Sequence, residues 1–374
     1  MAKGIYIGVG GAARKVKNIY AGVGGVARRV KKAYIGVGGV ARCFYSRELE
    51  YYGTATALSA SRRGLAATTV GNYALFGGGY GTGYSGVVDA YNASLTRSTA
   101  TNLRQNSQWL AATTVGNYAL FGGGVYSSSS YSYRVDAYNA SLTKSTVESL
   151  SVGRANLAAT TVGSYALFGG GNSNSKYMTV DAYNTSLTKS TTSGLSAVRT
   201  NLAATTVGSY ALFGGGNASD YLATVDAFNT SLTRSIPTAL SVGRANLAAT
   251  TVGNYALFGG GEYFTDSYVY SSTVDAYNTS LTRSIPTALS VGRSTLAATT
   301  VGEYALFGGG SNGFTYNDYN LSTVDAYNTS LTRSIPTGLS VARCVLAATT
   351  VGNYALFGGG YGSEYSSVVD VYTA

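Results

Sequence analysis

Apolar residues in this chain are gathered into short runs that return at a nearly constant interval. From residue 49 onward one unit recurs with small variation: LAATTVG, then Asn, Ser or Glu, then YALFGGG, a stretch of changing length, and VDAYN(A/T)SLT(R/K)S. Each run has the length and the flanking turn residues of a β-strand. LAATTV reads as the first strand of the unit, with alanines that permit close approach near a crowded axis. A Gly-Asn, Gly-Ser or Gly-Glu pair turns the chain into YALFG, the second strand, apolar on both faces as a strand sandwiched between neighbours must be. VDAYN is the third strand, and Asn-(Ala/Thr)-Ser-Leu-Thr is the turn after it. The fourth runs through segments such as residues 234–240, RSIPTAL, where Pro237 suits an outermost strand with one open edge.

The heptapeptide YALFGGG starts at Tyr73, Tyr118, Tyr165, Tyr210, Tyr255, Tyr304 and Tyr354, in steps of 45 to 50 residues. Self-similarity at that period marks a repeat architecture. Four strands in each of seven units predict an all-β fold, a seven-bladed β-propeller. The last unit stops after its third strand, at residue 374. Residues 51–58 precede the first strand one, and their Thr-Ala-Leu-Ser aligns with fourth strands elsewhere. The N-terminal strand is therefore expected to complete the C-terminal blade, closing the ring and leaving no free edge between blades.

Residues 5–45 carry a shorter rhythm: IYIGVGGAARKVKN, IYAGVGGVARRVKK and AYIGVGGVARCFYS, a period of 14. Apolar and polar positions alternate on either side of each Gly-Gly pair, as in strands. Gly10-Gly11, Gly24-Gly25 and Gly38-Gly39 can supply the positive φ angles of a two-residue hairpin turn. A β-meander and a β-solenoid both satisfy the pattern. So short a segment makes a small core, so pairing with copies from other chains or with a host particle is expected. The division is residues 1–46, a basic β-repeat segment for anchoring or oligomerisation, and residues 47–374, the propeller.

Charge separates the same two parts. Residues 1–46 hold nine Lys/Arg and no acid; the remainder holds 17 Lys/Arg against 16 acids. Arg14, Lys15, Lys17, Arg28, Arg29, Lys31 and Lys32 cluster between the turns. They form either a docking face for an acidic protein surface or nucleic acid, or a solvated strand face that discourages edge pairing. With one Tyr per copy and no nucleic-acid module spelled out, a protein assembly is the expected partner rather than nucleic acid. Histidine is absent, which removes the commonest general base and the commonest metal ligand. Two cysteines, Cys43 and Cys344, build neither a disulfide framework nor a zinc site. No metal or cofactor is expected. The N-terminus lacks the apolar core of a signal peptide, and no run of about 18 apolar residues could span a membrane. Synthesis in a cytoplasm without Sec export, and no membrane insertion, follow as expectations.

Two resemblances add to this. YALFGGG resembles the hydrophobic-Gly-Gly second strand of Kelch repeats, VDAYN their third, and the Arg before strand one also matches. The likeness covers residues 49–374 and implies a propeller, a fold that serves as protein adaptor, carbohydrate-binding part or, in one branch, oxidase. It departs from the pattern in lacking the strand-four Trp; Trp109, the sole tryptophan, stands just before blade two. The oxidase branch would need histidines. The IGVGG-x-AR-x-VKK copies resemble short repeats near the ends of virion structural proteins in phages and prophages of Gram-positive bacteria. That likeness implies a virion or tail-assembly context, in a particle made in a bacterial cytoplasm.

Comparing the units with one another separates framework from variation. The stretches between GGG and VD, residues 80–87, 125–134, 172–179, 217–224, 262–273, 311–323 and 361–368, differ in every copy and hold 14 of the 33 tyrosines. Rigid amphipathic tyrosines among adaptable Ser, Asn and Gly are the palette of recognition loops, although solvent loops also drift freely. All seven should emerge on one face. The candidate ligand-binding residues are Tyr80, Tyr84, Tyr126, Tyr131, Tyr133, Tyr177, Tyr221, Tyr263, Phe264, Asp266, Tyr268, Tyr270, Phe314, Tyr316, Asp318, Tyr319, Tyr361 and Tyr365. The two longest loops, 262–273 and 311–323, place aromatics beside Asp and Asn, as many sugar sites do.

Two ordered sets look catalytic at first sight: the Asp of each VD pair, from Asp89 to Asp370, and the Arg before strand one, from Arg62 to Arg343, with Ser107 in its place in blade two. A catalytic site needs different groups converging on one place, so equivalence argues for structural Arg–carboxylate ties between strands or blades. The Asn-x-Ser triplets at Asn92, Asn139 and their equivalents read as turn chemistry rather than glycosylation sites. The sequence thus points to a non-enzymatic virion component. Residues 1–46 would join other virion or tail proteins, and the propeller loops would hold a host-surface or mucosal glycan or a protein receptor. The rivals are a decoration or cementing protein of a capsid or tail, and a cytoplasmic adaptor whose basic tail binds nucleic acid.

Overall fold

The structure is a computed structural model and describes residues 6–9, 12–15, 20–23, 26–29, 32–37, 40–46, 48–313 and 319–374. The chain divides into two compact units, residues 1–49 with the final Ala374, and Glu50–Thr373. In the first, each 14-residue copy is one antiparallel hairpin: Tyr6–Val9 with Ala12–Lys15, Tyr20–Val23 with Val26–Arg29, and Lys32–Val37 with Val40–Ser46. Arg14, Lys15, Arg28, Arg29 and Lys32 lie on these strands. The Gly-Gly pairs, Lys17 and Lys31 lie outside the described residues.

The second unit is a β-propeller of seven four-stranded antiparallel sheets. In blade one the strands are Ala66–Val70, Tyr73–Gly77, Val88–Asn92 and Arg97–Ala100. The expected closure is present: Glu50–Thr54 pairs antiparallel with Val369–Thr373 and supplies the fourth strand of blade seven. Strand one alternates buried and half-buried positions, while strand two is buried at all but its first residue. That difference is the one between an axial strand and a strand covered on both faces.

Strand four departs from expectation. In blade four only Arg234–Ser235 pair with strand three. Proline has no N–H to donate, so the ladder stops before Pro237, and the chain rejoins the blade where the Leu240 amide donates to the Ala223 carbonyl at 2.7 Å. Blades one to three, with Thr-Ala, Thr-Val and Thr-Thr in place of Ile-Pro, extend the strand to three or four residues.

The apolar core lies between blades. Leu75, Val88 and Ala90 of blade one pack with Leu110, Ala119 and Phe121 of blade two, and the same grouping joins blade seven to blade one. The first glycine of GGG explains its own invariance. A Cβ on Gly77 would stand 2.7 Å from the Phe121 ring, and one on Gly358 would meet Phe76 at the same distance. Behind this contact, tyrosine hydroxyls of strand three reach back to the preceding blade: Tyr91 donates to the Thr56 carbonyl at 2.7 Å and Tyr277 to that of Thr238 at 2.7 Å. At the axis, threonine hydroxyls of successive first strands bond pairwise, Thr68 with Thr114 at 2.8 Å and Thr113 with Thr161 at 2.9 Å. The crowding that alanine relieves is thus shared with threonine.

Gly214→Ala is expected to lower stability by about 1–3 kcal/mol, since the Phe258 ring 2.7 Å from the new methyl is fully buried and has nowhere to go. Urea denaturation checks this, and an unchanged midpoint would show that blades do not meet through glycine. Burial, reinforced by the neighbouring Asp, holds the phenols of Tyr91, Tyr138, Tyr183, Tyr277, Tyr327 and Tyr372 well above the ordinary 10.0. A raised folded pKa means that the unfolded chain releases these protons first. Stability is therefore intact below pH 10.0 and falls as pH climbs beyond it. In an alkaline titration these six phenols should ionise only together with loss of the β-sheet circular dichroism signal. Complete phenolate formation in a still-folded protein would contradict the blade-to-blade role.

Candidate functional site

The buried charges are framework. Arg62 Nη2 lies 2.7 Å from Asp89 Oδ2, both side chains being essentially inaccessible, and the same guanidinium donates to the Gly78 carbonyl at 2.8 Å. Asp89 also accepts from Arg97 Nη1 at 2.9 Å and from the Ser59 amide at 3.2 Å. The pairing recurs at Arg154–Asp181, Arg244–Asp275 and Arg293–Asp325. Burial lowers the Arg199 pKa to about 10 against the opposing pull of Asp226, so the guanidinium is charged at neutral pH. The backbone of each such arginine is held by the preceding blade, the Arg62 amide donating to the Ser366 carbonyl at 3.0 Å and its carbonyl accepting from the Gly360 amide at 2.9 Å, so the ion pair, like the tyrosine hydroxyl, ties one blade to the next. In blade two, where Ser107 stands, Arg104 reaches in from three residues upstream, its Nε 2.6 Å from Asp136 Oδ1. The Asn-x-Ser triplets are turns: Asn92 Oδ1 accepts the amides of Ser94 at 3.0 Å and Thr96 at 2.9 Å.

The variable loops do share one face, and they begin beside the axis. The residue after each GGG pairs with the residue two before the Leu-Ala-Ala of its own blade, as in Arg63 with Tyr80 and Cys344 with Tyr361. Tyr80, Tyr84, Tyr361 and Tyr365 gather where blades seven and one meet. Tyr80 stands edge-on to Tyr84 at 5.1 Å and to Tyr365 at 6.0 Å, and the Arg63 guanidinium lies 5.1 Å from the Tyr361 ring centre. In blade two the loop is a hairpin, with Tyr126 and Tyr133 exposed, Tyr131 half-buried, and Arg134 against the Tyr133 ring at 4.9 Å. Tyr177 bonds to Ser173 at 2.7 Å, and Lys176 crosses to Asn217 and the Ala218 carbonyl of the next blade. Tyr221 meets the blade-five hairpin; burial, then the nearby Tyr268 and Glu262, push its phenol up to about 12. In that hairpin Phe264 is 52% exposed and stands edge-on to Tyr268 at 5.2 Å. Tyr263 and Tyr270 are half-buried, and Asp266 is exposed at the tip. Tyr319 is exposed. Phe314, Tyr316 and Asp318 lie outside the described residues. The candidates therefore form separate patches around a rim rather than one site, and several aromatics face each other.

Inside that rim is a feature the sequence reading passed over. The residue just before the leucine of each Leu-Ala-Ala has a positive φ of 53° to 63°: Gly64, Trp109, Asn156, Asn201, Asn246, Thr295 and Val345. Their backbones form a closed circle. The Trp109 amide donates to the Gly64 carbonyl at 2.8 Å, Asn156 to Trp109 at 2.9 Å, and so on round to the Gly64 amide, which donates to Val345 at 3.0 Å. Together with the following leucines these residues line a cavity of about 390 Å³ at the axis. The signal was present in the sequence: the two positions between the Arg and the Leu of R-x-x-L vary among the copies while the framework on either side of them hardly does.

Seven four-stranded blades closed around an axis, with an asymmetric mouth and a variable rim, define the class as a seven-bladed β-propeller. No family model and no curated protein matches the chain. The solved structure of YjhT is similar, with a TM-score of 0.61, 12% identity, and coverage of 76% of this chain and 99% of that one. The fold is common, matching 678 solved chains, and at this identity the likeness speaks for the fold alone.

Arg104→Ala should cost roughly 3 kcal/mol by leaving the Asp136 carboxylate buried without its cation. Adding Ser107→Arg to that variant should recover most of the loss, because the six other blades hold their carboxylate from that position. Thermal melts of the two variants decide it; equal melting points would mean that the carboxylate needs no cation.

Proposed function

We propose that this protein is a non-enzymatic recognition module. Its propeller binds a host-surface or mucosal glycan on the loop face, and its N-terminal hairpin repeats fasten it to a phage or phage-like particle. The observation carrying the reading is the confinement of diversity. The framework is nearly identical seven times over, and the differences collect on one face, where exposed aromatics such as Tyr133, Phe264, Tyr268 and Tyr319 stand. Aromatic faces with adjacent Ser and Asn suit the apolar and hydroxyl faces of sugars.

The non-enzymatic reading rests on where the acids are. The repeated aspartates are buried in arginine pairs, and among the described residues no group of three or more Cys, Asp or Glu converges. The particle context rests on the repeat resemblance and on the basic strands. Two-stranded sheets of this kind are marginal alone in water, which favours partners for them. Several copies on a particle would convert weak contacts into avidity.

Replacing loops 262–273 and 311–323 with the short 172–179 loop should abolish retention on host cells and on immobilised surface glycan while leaving the melting temperature within a few degrees. Undiminished retention would remove the recognition role and leave a decorating or cementing protein.

A further inference from the structure

The mouth circle breaks the sevenfold symmetry in an ordered way. Around the axis, Asn156, Asn201, Asn246 and Thr295 form a polar arc, and Val345, Gly64 and Trp109 an apolar one. Backbone needs explain part of this, since Asn tolerates the left-handed conformation and Gly adopts it freely. They do not explain Trp109, Thr295 and Val345, whose φ angles of 55°, 53° and 53° are rare for bulky or β-branched residues. Outliers of this kind persist where something other than backbone comfort selects the side chain. Gly64 has its own part, because a Cβ there would lie 3.1 Å from Trp109 Cδ1. The indole thus leans over the glycine beside it and remains 37% exposed at the cavity.

The circle also decides what is left for a ligand. Ring amides and carbonyls are consumed in the circle itself, so recognition falls to side chains. Asn156 Nδ2 donates to Asn172 Oδ1 at 3.1 Å and Asn246 Nδ2 to Glu262 Oε1 at 2.8 Å, which orients both amides from the rim loops. Each amide keeps further donor and acceptor capacity. No charged side chain lines the cavity, and its 390 Å³ is at the small end of the roughly 300–1,000 Å³ usual for small-ligand sites.

We propose that this axial mouth is the primary sugar site of the propeller. It would take one neutral hexopyranose ring with its apolar face on Trp109 and its hydroxyls on the amides of Asn156, Asn201 and Asn246. The proposal rests on the glycan reading above and places its core at the axis, the rim loops acting as outer subsites.

Trp109 is the only tryptophan, so its fluorescence reports this site alone. The full-length protein is titrated with glucose, galactose, mannose, N-acetylglucosamine and N-acetylgalactosamine, with sialic acid as the charged control, by fluorescence and by saturation-transfer NMR. At least one neutral sugar should give a saturable fluorescence change, with sialic acid inert. Asn201→Gly, which suits the backbone, should weaken that sugar about tenfold. Trp109→Gly, which copies the residue of blade one, should abolish saturation transfer. No saturable response to any neutral sugar, preference for sialic acid, or undiminished saturation transfer in Trp109→Gly would each overturn the proposal. The loop-exchanged protein separates the two claims. Monosaccharide binding kept while surface retention is lost supports both. Surface retention by the original protein without any monosaccharide response leaves the glycan reading standing and removes the axial site.

Discussion

The edge of a phenylalanine resting on a glycine of the neighbouring blade is the contact on which this ring depends. Each YALFG strand presents its Phe to the blade before it and its Gly to the blade after it, so one pentapeptide carries both halves of the joint. The spacing is close enough that a single methyl at Gly77, Gly169 or Gly308 would meet the ring at 2.7 or 2.8 Å. Because the core lies between blades, no blade buries its own apolar face, and the unit gains stability only from the next copy. Closure is the natural end of such a chain, and the pairing of Glu50–Thr54 with Val369–Thr373 joins its two ends in one sheet.

The buried ion pairs answer a different need. A carboxylate on strand three is costly to bury, and every blade supplies a cation for it. Blade two shows that the requirement is the charge and not its address. Ser107 has lost the arginine, and Arg104, from a neighbouring turn, occupies the carboxylate in its stead. The hydroxyl of Ser107 meanwhile donates to the Gly123 carbonyl at 3.3 Å, the acceptor equivalent to the one Arg62 uses in blade one. Two residues thus divide the work done elsewhere by one.

Most of the architecture was legible because it rests on periodicity. Strand order, blade number and end-to-end closure follow from apolar runs and from where the phase begins and stops. The Asn turn was legible too, because its hydrogen bonds are local. What escaped depended on geometry across the ring. Pro237 fitted an edge strand by composition, yet the missing N–H ends the ladder two residues sooner. The described tyrosine candidates stand in loops that leave equivalent ends of the blades, but sequence spacing could not show that Tyr80, Tyr84 and Tyr365 pack on one another, or that Tyr126 and Tyr133 do not reach them. The mouth circle was hidden for the same reason. A left-handed residue bonded to its counterpart 45 positions away leaves no local pattern, and an Asn, Thr or Val before a Leu looks like ordinary loop.

Repetition itself says where a function needing asymmetry can sit. Seven equal units offer seven equal sites at every radius, unless substitutions in different copies fall close enough together to act on one ligand. At the rim a loop meets only its neighbours, as Lys176 meets Asn217, so changes there create patches. At the axis all seven copies meet, and seven positions with five kinds of side chain converge on one small volume. A single residue per blade is then enough to turn a symmetric opening into one with a polar side and an apolar side. The backbone circle holds each of those residues in the same left-handed conformation whatever its side chain, so the frame can stay uniform while the chemistry varies. That separation of frame from chemistry lets a protein built of near-identical units present a surface that is not repetitive.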